Sequence, residues 1–204
     1  EWYDRRVEEE EPRRVDPSQD AFFSRISGCT VGVQGKVSSY NGRPQYTFSK
    51  VYLLNQEKNP PHAYVRKSPI PFADLERRFR ELVDRAEEPV KGFLQHVFRE
   101  ERWEKFSTYP AATSHHHAYV HGLLEHTVAV ASSALAIAED YILRGFSLDR
   151  SVVLGGSLLH DLGKVDAYGL DPMPMLTLSG SVHDHIALGY AAFSRLAEEF
   201  SLAP

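Results

Sequence analysis

The spacing of the apolar residues changes period once along the chain, and that change limits what it can fold into. Between Cys29 and Leu54 apolar and polar residues alternate along two arms, with Asn41-Gly42 between them. A period of two on both sides of an Asn-Gly pair reads as an antiparallel hairpin. From Phe72 the period is helical: Leu75, Phe79, Leu82 and Val83 share one face, with charges opposite. A second helical pattern starts at Pro89 and carries Phe93, Leu94, Val97 and Phe98, until Tyr109-Pro110 interrupts it. Three more follow at about 121–144, 149–162 and 182–200, with Gly145 and Gly163 as stops. Residues 56–71 bear Pro60, Pro61, Pro69 and Pro71 and read as a linker. The expectation is an α+β chain: a small β module over 1–55, the proline-rich linker 56–71, and an all-helical domain over 72–204.

Composition narrows the function classes. No apolar run approaches the ~18–20 residues of a membrane span, and no signal peptide opens the chain. A cytoplasmic location and no membrane partner are therefore expected. The single cysteine, Cys29, excludes an internal disulfide framework. With 23 Lys+Arg against 28 Asp+Glu the net charge is −5. No global basic field attracts a polyanion, so such a substrate would need a local basic surface or bound metal. The chain starts at Glu1-Trp2-Tyr3-Asp4, which reads like the middle of a strand, and stops at Pro204 just past a helical pattern. Both ends are read as truncations. Residues 5–20 are charged and nearly devoid of apolar side chains, as in a solvated loop.

The chemistry concentrates in the helical part. His160-Asp161 closes the apolar run Val152–Leu159 and is followed by Leu162-Gly163-Lys164. An adjacent imidazole and carboxylate offer a neutral nitrogen and an anionic oxygen, a pair suited to a divalent cation. An aspartate at the end of so apolar a helix is costly unless it is paired or coordinated. His126, in Leu123-Leu124-Glu125-His126-Thr127, and His185, before Ile186, could complete much of a shell if the fold brings them together. Four of the ten histidines fall within 115–121. Three consecutive imidazoles cannot all face one site, so at most one or two of His115, His116 and His117 act; His121 is given no role.

Leu158-Leu159-His160-Asp161-Leu162-Gly163-Lys164, preceded by Leu124-Glu125-His126-Thr127, resembles the HD-domain phosphohydrolases, whose metal ligands follow an H…HD…D order. The run Ala111–Leu123, with His116-His117 and Gly122-Leu123, resembles the YhaM-type 3′→5′ exoribonucleases, which join an OB-fold module to an HD domain. The resemblance implies a partial OB-like β module followed by a helical HD domain. It implies one or two divalent ions (Mn, Co, Fe or Mg) on His126, His160, Asp161 and His185, with Asp161 and Lys164 as catalytic groups. His116, His117 and Lys164 would contact substrate phosphate. His185 is preferred to His183, with Ile186, Gly189, Tyr190 and Phe193 as its packing side; Asp184 stands where the family usually has Gly. The family's closing Asp is expected beyond Pro204, since Asp166, Asp171 and Asp184 do not match its position.

The implied reaction is metal-assisted hydrolysis of phosphodiesters, with single-stranded RNA (or DNA) as substrate and a homo-oligomer as a further possibility. The hairpin would supply stacking aromatics, Tyr46 among them, and cations such as Lys36. Tyr46, Phe48 and Tyr52 share one strand parity and cannot face opposite sides without a bulge. The rival readings are an HD enzyme acting on nucleotides or cyclic dinucleotides, and a non-catalytic nucleic-acid-binding scaffold.

Overall fold

The computed structural model describes residues 26–114, 116–170 and 173–201. The strand expected at Trp2-Tyr3-Asp4, the charged stretch 5–20, His115 and Asp171 lie outside them. The chain divides into two compact units, Glu1–Val65 and Arg66–Pro204.

In the first unit, strands β1 (Val31–Tyr40) and β2 (Arg43–Leu53) pair antiparallel. Asn41 (φ 52°) and Gly42 (φ 74°) both take positive φ, as a two-residue turn matched to strand twist requires. The register slips between Gln34, opposite Lys50, and Gly35, opposite Phe48. Ser49 is therefore a bulge residue, and the parity of β2 flips there. Partners across a ladder share a face. Val33, Val37, Tyr46, Phe48 and Val51 lie on one side, and Gln34, Lys36, Thr47, Lys50 and Tyr52 on the other. The Tyr52 ring covers Gly32, where a Cβ would come within 2.6 Å of the ring.

The second unit is mainly helical: α1 (Phe72–Asp84), α2 (Val90–Val97), α3 (Glu100–Thr108), α4 (Gly122–Leu143), α5 (Arg150–Leu159), α6 (Lys164–Ala167) and α7 (Leu178–Phe200). The expected α1 face is the buried one, Leu75, Phe79, Leu82 and Val83. The second expected helix is two. Phe98 leaves helical geometry (φ −94°, ψ 53°) and turns into the core, its ring 4.9 Å from Phe79 and 4.7 Å from Phe106. Leu123, Leu124, Val128, Ala131 and Leu135 of α4 meet Leu154 and Leu158 of α5 in the same core. Asp149 caps α5, accepting from the backbone N–H of Ser151 (2.7 Å) and Val152 (3.1 Å). Gly145 ends α4 at φ 92° as expected. An addition to the expected helices is a short ribbon, β3 (Tyr168–Leu170) with β4 (Pro174–Leu176).

Two expectations about the last turns need correction. Gly163 is no left-handed stop: its φ is −67°. It is glycine because a Cβ there would strike the His185 carbonyl and come within 2.8 Å of Gly189 Cα. Of the expected packing side of α7, Gly189 lies against Gly163 and the Phe193 ring meets that of Phe93 at 5.6 Å, but Ile186 and Tyr190 are exposed, and Ala192 and Leu196 are the buried residues. The helix restarts after a break at Asp184 (φ 58°, ψ 150°), and from there its inward stripe runs through Gly189, Ala192 and Leu196, at i, i+3 and i+7.

Candidate metal centre

Asp161 is the centre of the site. It lies in the turn after α5 and is 5% exposed. Its Oδ2 is 3.2 Å from His126 Nε2, 3.1 Å from His160 Nε2 and 2.8 Å from Lys164 Nζ. Its Oδ1 is 3.6 Å from His185 Nε2. His126 comes from the second turn of α4, His160 from the end of α5, Lys164 from the start of α6, and His185 from the restart of α7. Thirty-four residues separate His126 from His160, and the packing of α4 on α5 brings their Nε2 atoms to 3.3 Å. The close approach of Gly163 to Gly189 lets α7 lie near enough for His185 to join.

Burial alone would push the Asp161 carboxyl up. Hydrogen bonds from His126, His160 and Lys164 outweigh it and hold the carboxyl far below the usual carboxylate range. The hydrogen bond to Asp161 likewise raises His160 above its ordinary value, against burial. The site thus carries a buried anion ringed by imidazoles.

The donor set fits a divalent cation. His160 Nδ1 lies 2.8 Å from the Ser157 carbonyl, and an N–H donated there leaves Nε2 with a lone pair. That lone pair, His126 Nε2 and Asp161 Oδ2 then converge on one point, with ligand atoms all within 4.8 Å of one another. Converging acceptors require shared protons or a cation between them. The carbonyl behind His160 orients its ring, as partners of metal-bound imidazoles commonly do.

His116 and His117 lie in the loop between α3 and α4. Their rings are 5.6 and 5.5 Å from that of His126, and neither pairs with Asp161 among the described contacts. Burial lowers His117 below the ordinary imidazole value, Glu125 opposing it. His121, given no role, is structural: in left-handed geometry (φ 67°) it approaches the Ser107 carbonyl through Nδ1 at 2.6 Å. His183 enters no described pair with the centre, whereas His185 does. Tyr46 and Lys36 belong to the hairpin of the other unit, on opposite faces of it.

Three participants were not read from the sequence. Glu125 pairs with His117 (3.5 Å) and accepts from the Tyr119 hydroxyl (2.9 Å). Burial, with that bond, pushes the Tyr119 phenol up to about 12. Asp184 lies 3.2 Å from His185 Nδ1 and accepts from the Ile186 N–H (2.8 Å), restarting the helix. A carboxylate adjoining each histidine was the available signal. The position expected to be Gly has φ 58° and ψ 150°, a conformation open to glycine and strained for Asp184.

A family model described as the HD domain matches residues 123–203. The chain is 30% identical over 193 residues to the 3′-5′ exoribonuclease YhaM of Bacillus subtilis (strain 168). The alignment covers 94% of this chain and 60% of that relative, so the chain spans about three-fifths of its length. No solved structure matches significantly.

Proposed function

We propose that the chain, whose residues 123–203 match the HD-domain family model, hydrolyses phosphodiesters with a divalent cation, removing nucleotides from the 3′ end of single-stranded RNA. The observation that carries this reading is the convergence of His126, His160, His185 and Lys164 on the buried carboxylate of Asp161. A cation held there supplies Lewis acidity and a water nucleophile near neutral pH. The similarity to an exoribonuclease directs the reading to RNA.

The residues divide the work. His126, His160, His185 and Asp161 hold the cation, with Mn, Co, Fe or Mg as the class of ion. The bonds that hold the Asp161 carboxyl below the usual carboxylate range favour its charged form, the form that binds a cation. Lys164 sits 2.8 Å from Asp161 Oδ2 without the ion. With a cation on Asp161, Lys164 would be placed to contact a substrate phosphate and to stabilise the charge that develops on its oxygens.

The hairpin is read as part of an OB-type surface. Tyr46 is 62% exposed and Phe48 56%, on one face, so both rings are open to stacked bases. Lys36, on the opposite face, adds long-range attraction rather than contact with the same bases. The domain boundaries 1–55, 56–71 and 72–204 are kept as the working division, and a cytoplasmic location is part of the same reading.

The test is a 5′-labelled single-stranded RNA incubated with the chain and Mn²⁺. Products shortened stepwise from the 3′ end, abolished by chelation and by Asp161→Asn, are expected. An intact RNA alongside hydrolysed mononucleotides or cyclic dinucleotides would replace exoribonuclease with the nucleotide-hydrolase reading.

A further inference from the structure

Beside the Asp161 centre lies a second group of three imidazoles, and we infer that His116, His117 and His126 form a further binding site for a divalent transition-metal ion of the zinc–cobalt class. Their ring centroids make a near-equilateral triangle: 5.4 Å from His116 to His117, 5.5 Å from His117 to His126 and 5.6 Å from His116 to His126. One ring nitrogen of each lies within 4.8 Å of the others. A tetrahedral ion with bonds of about 2.0–2.1 Å spaces its nitrogens about 3.4 Å apart, so small ring rotations close the gap.

The independent observation is at His117. Its Nε2 faces Glu125 Oε1 at 3.5 Å, while its Nδ1 is buried and has no hydrogen-bond partner. A carboxylate behind one nitrogen fixes the tautomer that leaves the other with a lone pair, the arrangement that supports metal-bound histidines. The Tyr119 hydroxyl donates to the second oxygen of Glu125 at 2.9 Å, holding the carboxylate in place. A buried nitrogen with nothing to accept from is costly, and an ion bound by this group of imidazoles would supply its partner.

The loop is built to present that ring. His117 takes a positive φ of 58°, and its carbonyl accepts from the N–H groups of Ala111 (3.0 Å) and Tyr119 (2.9 Å). The same carbonyl lies against Gly122, where a Cβ would collide with it. Strain of this kind persists where the surroundings enforce it, and it gathers at ligand sites. An all-imidazole site suits Co, Ni or Zn better than Mg or Mn. The site thus differs in preference from the carboxylate-bearing one, and because a neutral imidazole has one lone pair, the two compete for the shared His126. On this reading His116 and His117 serve a cation, not the substrate phosphate directly.

The inference concerns the same unit as the proposed hydrolysis but is tested apart from it. The chain carrying Cys29→Ser, His160→Ala and Asp161→Asn lacks the first centre and any thiolate. Titrated with Co²⁺, it is expected to take up one equivalent with the visible absorption of a low-coordinate, nitrogen-ligated ion. Adding His116→Ala, a change at an exposed side chain that leaves the fold intact, should abolish that absorption, and His117→Ala should do the same. Glu125→Gln should keep the site and weaken Co²⁺ about 10–100-fold. A triple variant that binds no Co²⁺, or one whose absorption survives His116→Ala and His117→Ala, overturns the inference. Either result leaves hydrolysis at Asp161 standing, and loss of RNA hydrolysis in Asp161→Asn leaves this site standing.

Discussion

Gly163 and Gly189 touch backbone to backbone, and a Cβ on Gly163 would lie 2.8 Å from Gly189 Cα and strike the His185 carbonyl. The turn after the His160-Asp161 doublet and the helix bearing His185 are thereby locked together. Gly163→Ala must push α7 away. We expect about 1–3 kcal/mol of destabilisation, as for overpacking elsewhere. The cation affinity should also fall, although no ligand has changed. Denaturant melts and Mn²⁺ binding measure the two effects; unchanged affinity would show that α7 does not position His185.

Lys164 neutralises Asp161 Oδ2 from 2.8 Å, so in the metal-free chain it competes with the cation. Lys164→Met should leave cation binding intact or tighter while slowing hydrolysis about 10²–10³-fold, the range for losing one charge-stabilising donor. Metal titrations set beside single-turnover kinetics separate the two. Weaker binding with unchanged turnover would make Lys164 a structural partner of Asp161.

The pH response reverses between metal-free and loaded protein. In the metal-free chain His160 is raised, so its contribution to stability is complete below its ordinary value of 6.5 and is lost as pH rises through the raised value. Asp161 is lowered, so its contribution is complete above 3.8 and is lost only as pH falls through the depressed value. The chelated chain should therefore melt higher at about pH 5.5 than at about pH 8 on account of this pair. His160→Gln should flatten that difference. Cation loading needs the unprotonated ring and so weakens as pH drops through the raised value. An alkaline loss of stability that is equal in His160→Gln would refute the coupling.

On the hairpin, strand alternation puts Tyr46 and Lys36 on opposite faces and so separates two kinds of contact. Tyr46→Ala should weaken single-stranded RNA binding by about 1–3 kcal/mol at any salt concentration, as a lost stacking platform does. Lys36→Ala should act mainly through the salt dependence, lowering its slope by roughly one unit or less. Fluorescence anisotropy at several salt concentrations distinguishes them. Equal, salt-independent losses would mean that both faces touch bases.

In the core, Phe79 is fully buried against Phe98, Trp103 and Phe106 at 4.9–5.8 Å. Phe79→Ala should cost about 3–5 kcal/mol, read from denaturant melts. A loss under 1 kcal/mol would indicate that the cluster closes over the gap.

The hairpin, the Asn41-Gly42 turn and the apolar face of α1 were legible because each rests on local periodicity. So was the chemical weight of His160-Asp161, because an aspartate ending an apolar helix needs a partner. The break after Phe98 was not legible, since an aromatic turned into a core looks the same in sequence as one on a helix face. The exposure of Ile186 and Tyr190 was hidden for a related reason: which face of an apolar helix turns inward depends on what it packs against, here Gly189 on Gly163. Gly163 was read as a helix stop because close approach between segments far apart in sequence leaves no local trace. Glu125 was adjacent to a chosen ligand, yet its role depends on a loop that only the fold brings beside it.

The most direct measurement is a Mn²⁺ titration followed by electron paramagnetic resonance, which counts free ion, on the wild-type chain and on Asp161→Asn. Mn²⁺ favours oxygen donors and should ignore the all-imidazole group. The wild type should sequester at least one equivalent, and Asp161→Asn should lose it while its circular dichroism is unchanged. Equal sequestration by the two folded proteins would contradict the assignment of Asp161 as the heart of the metal centre.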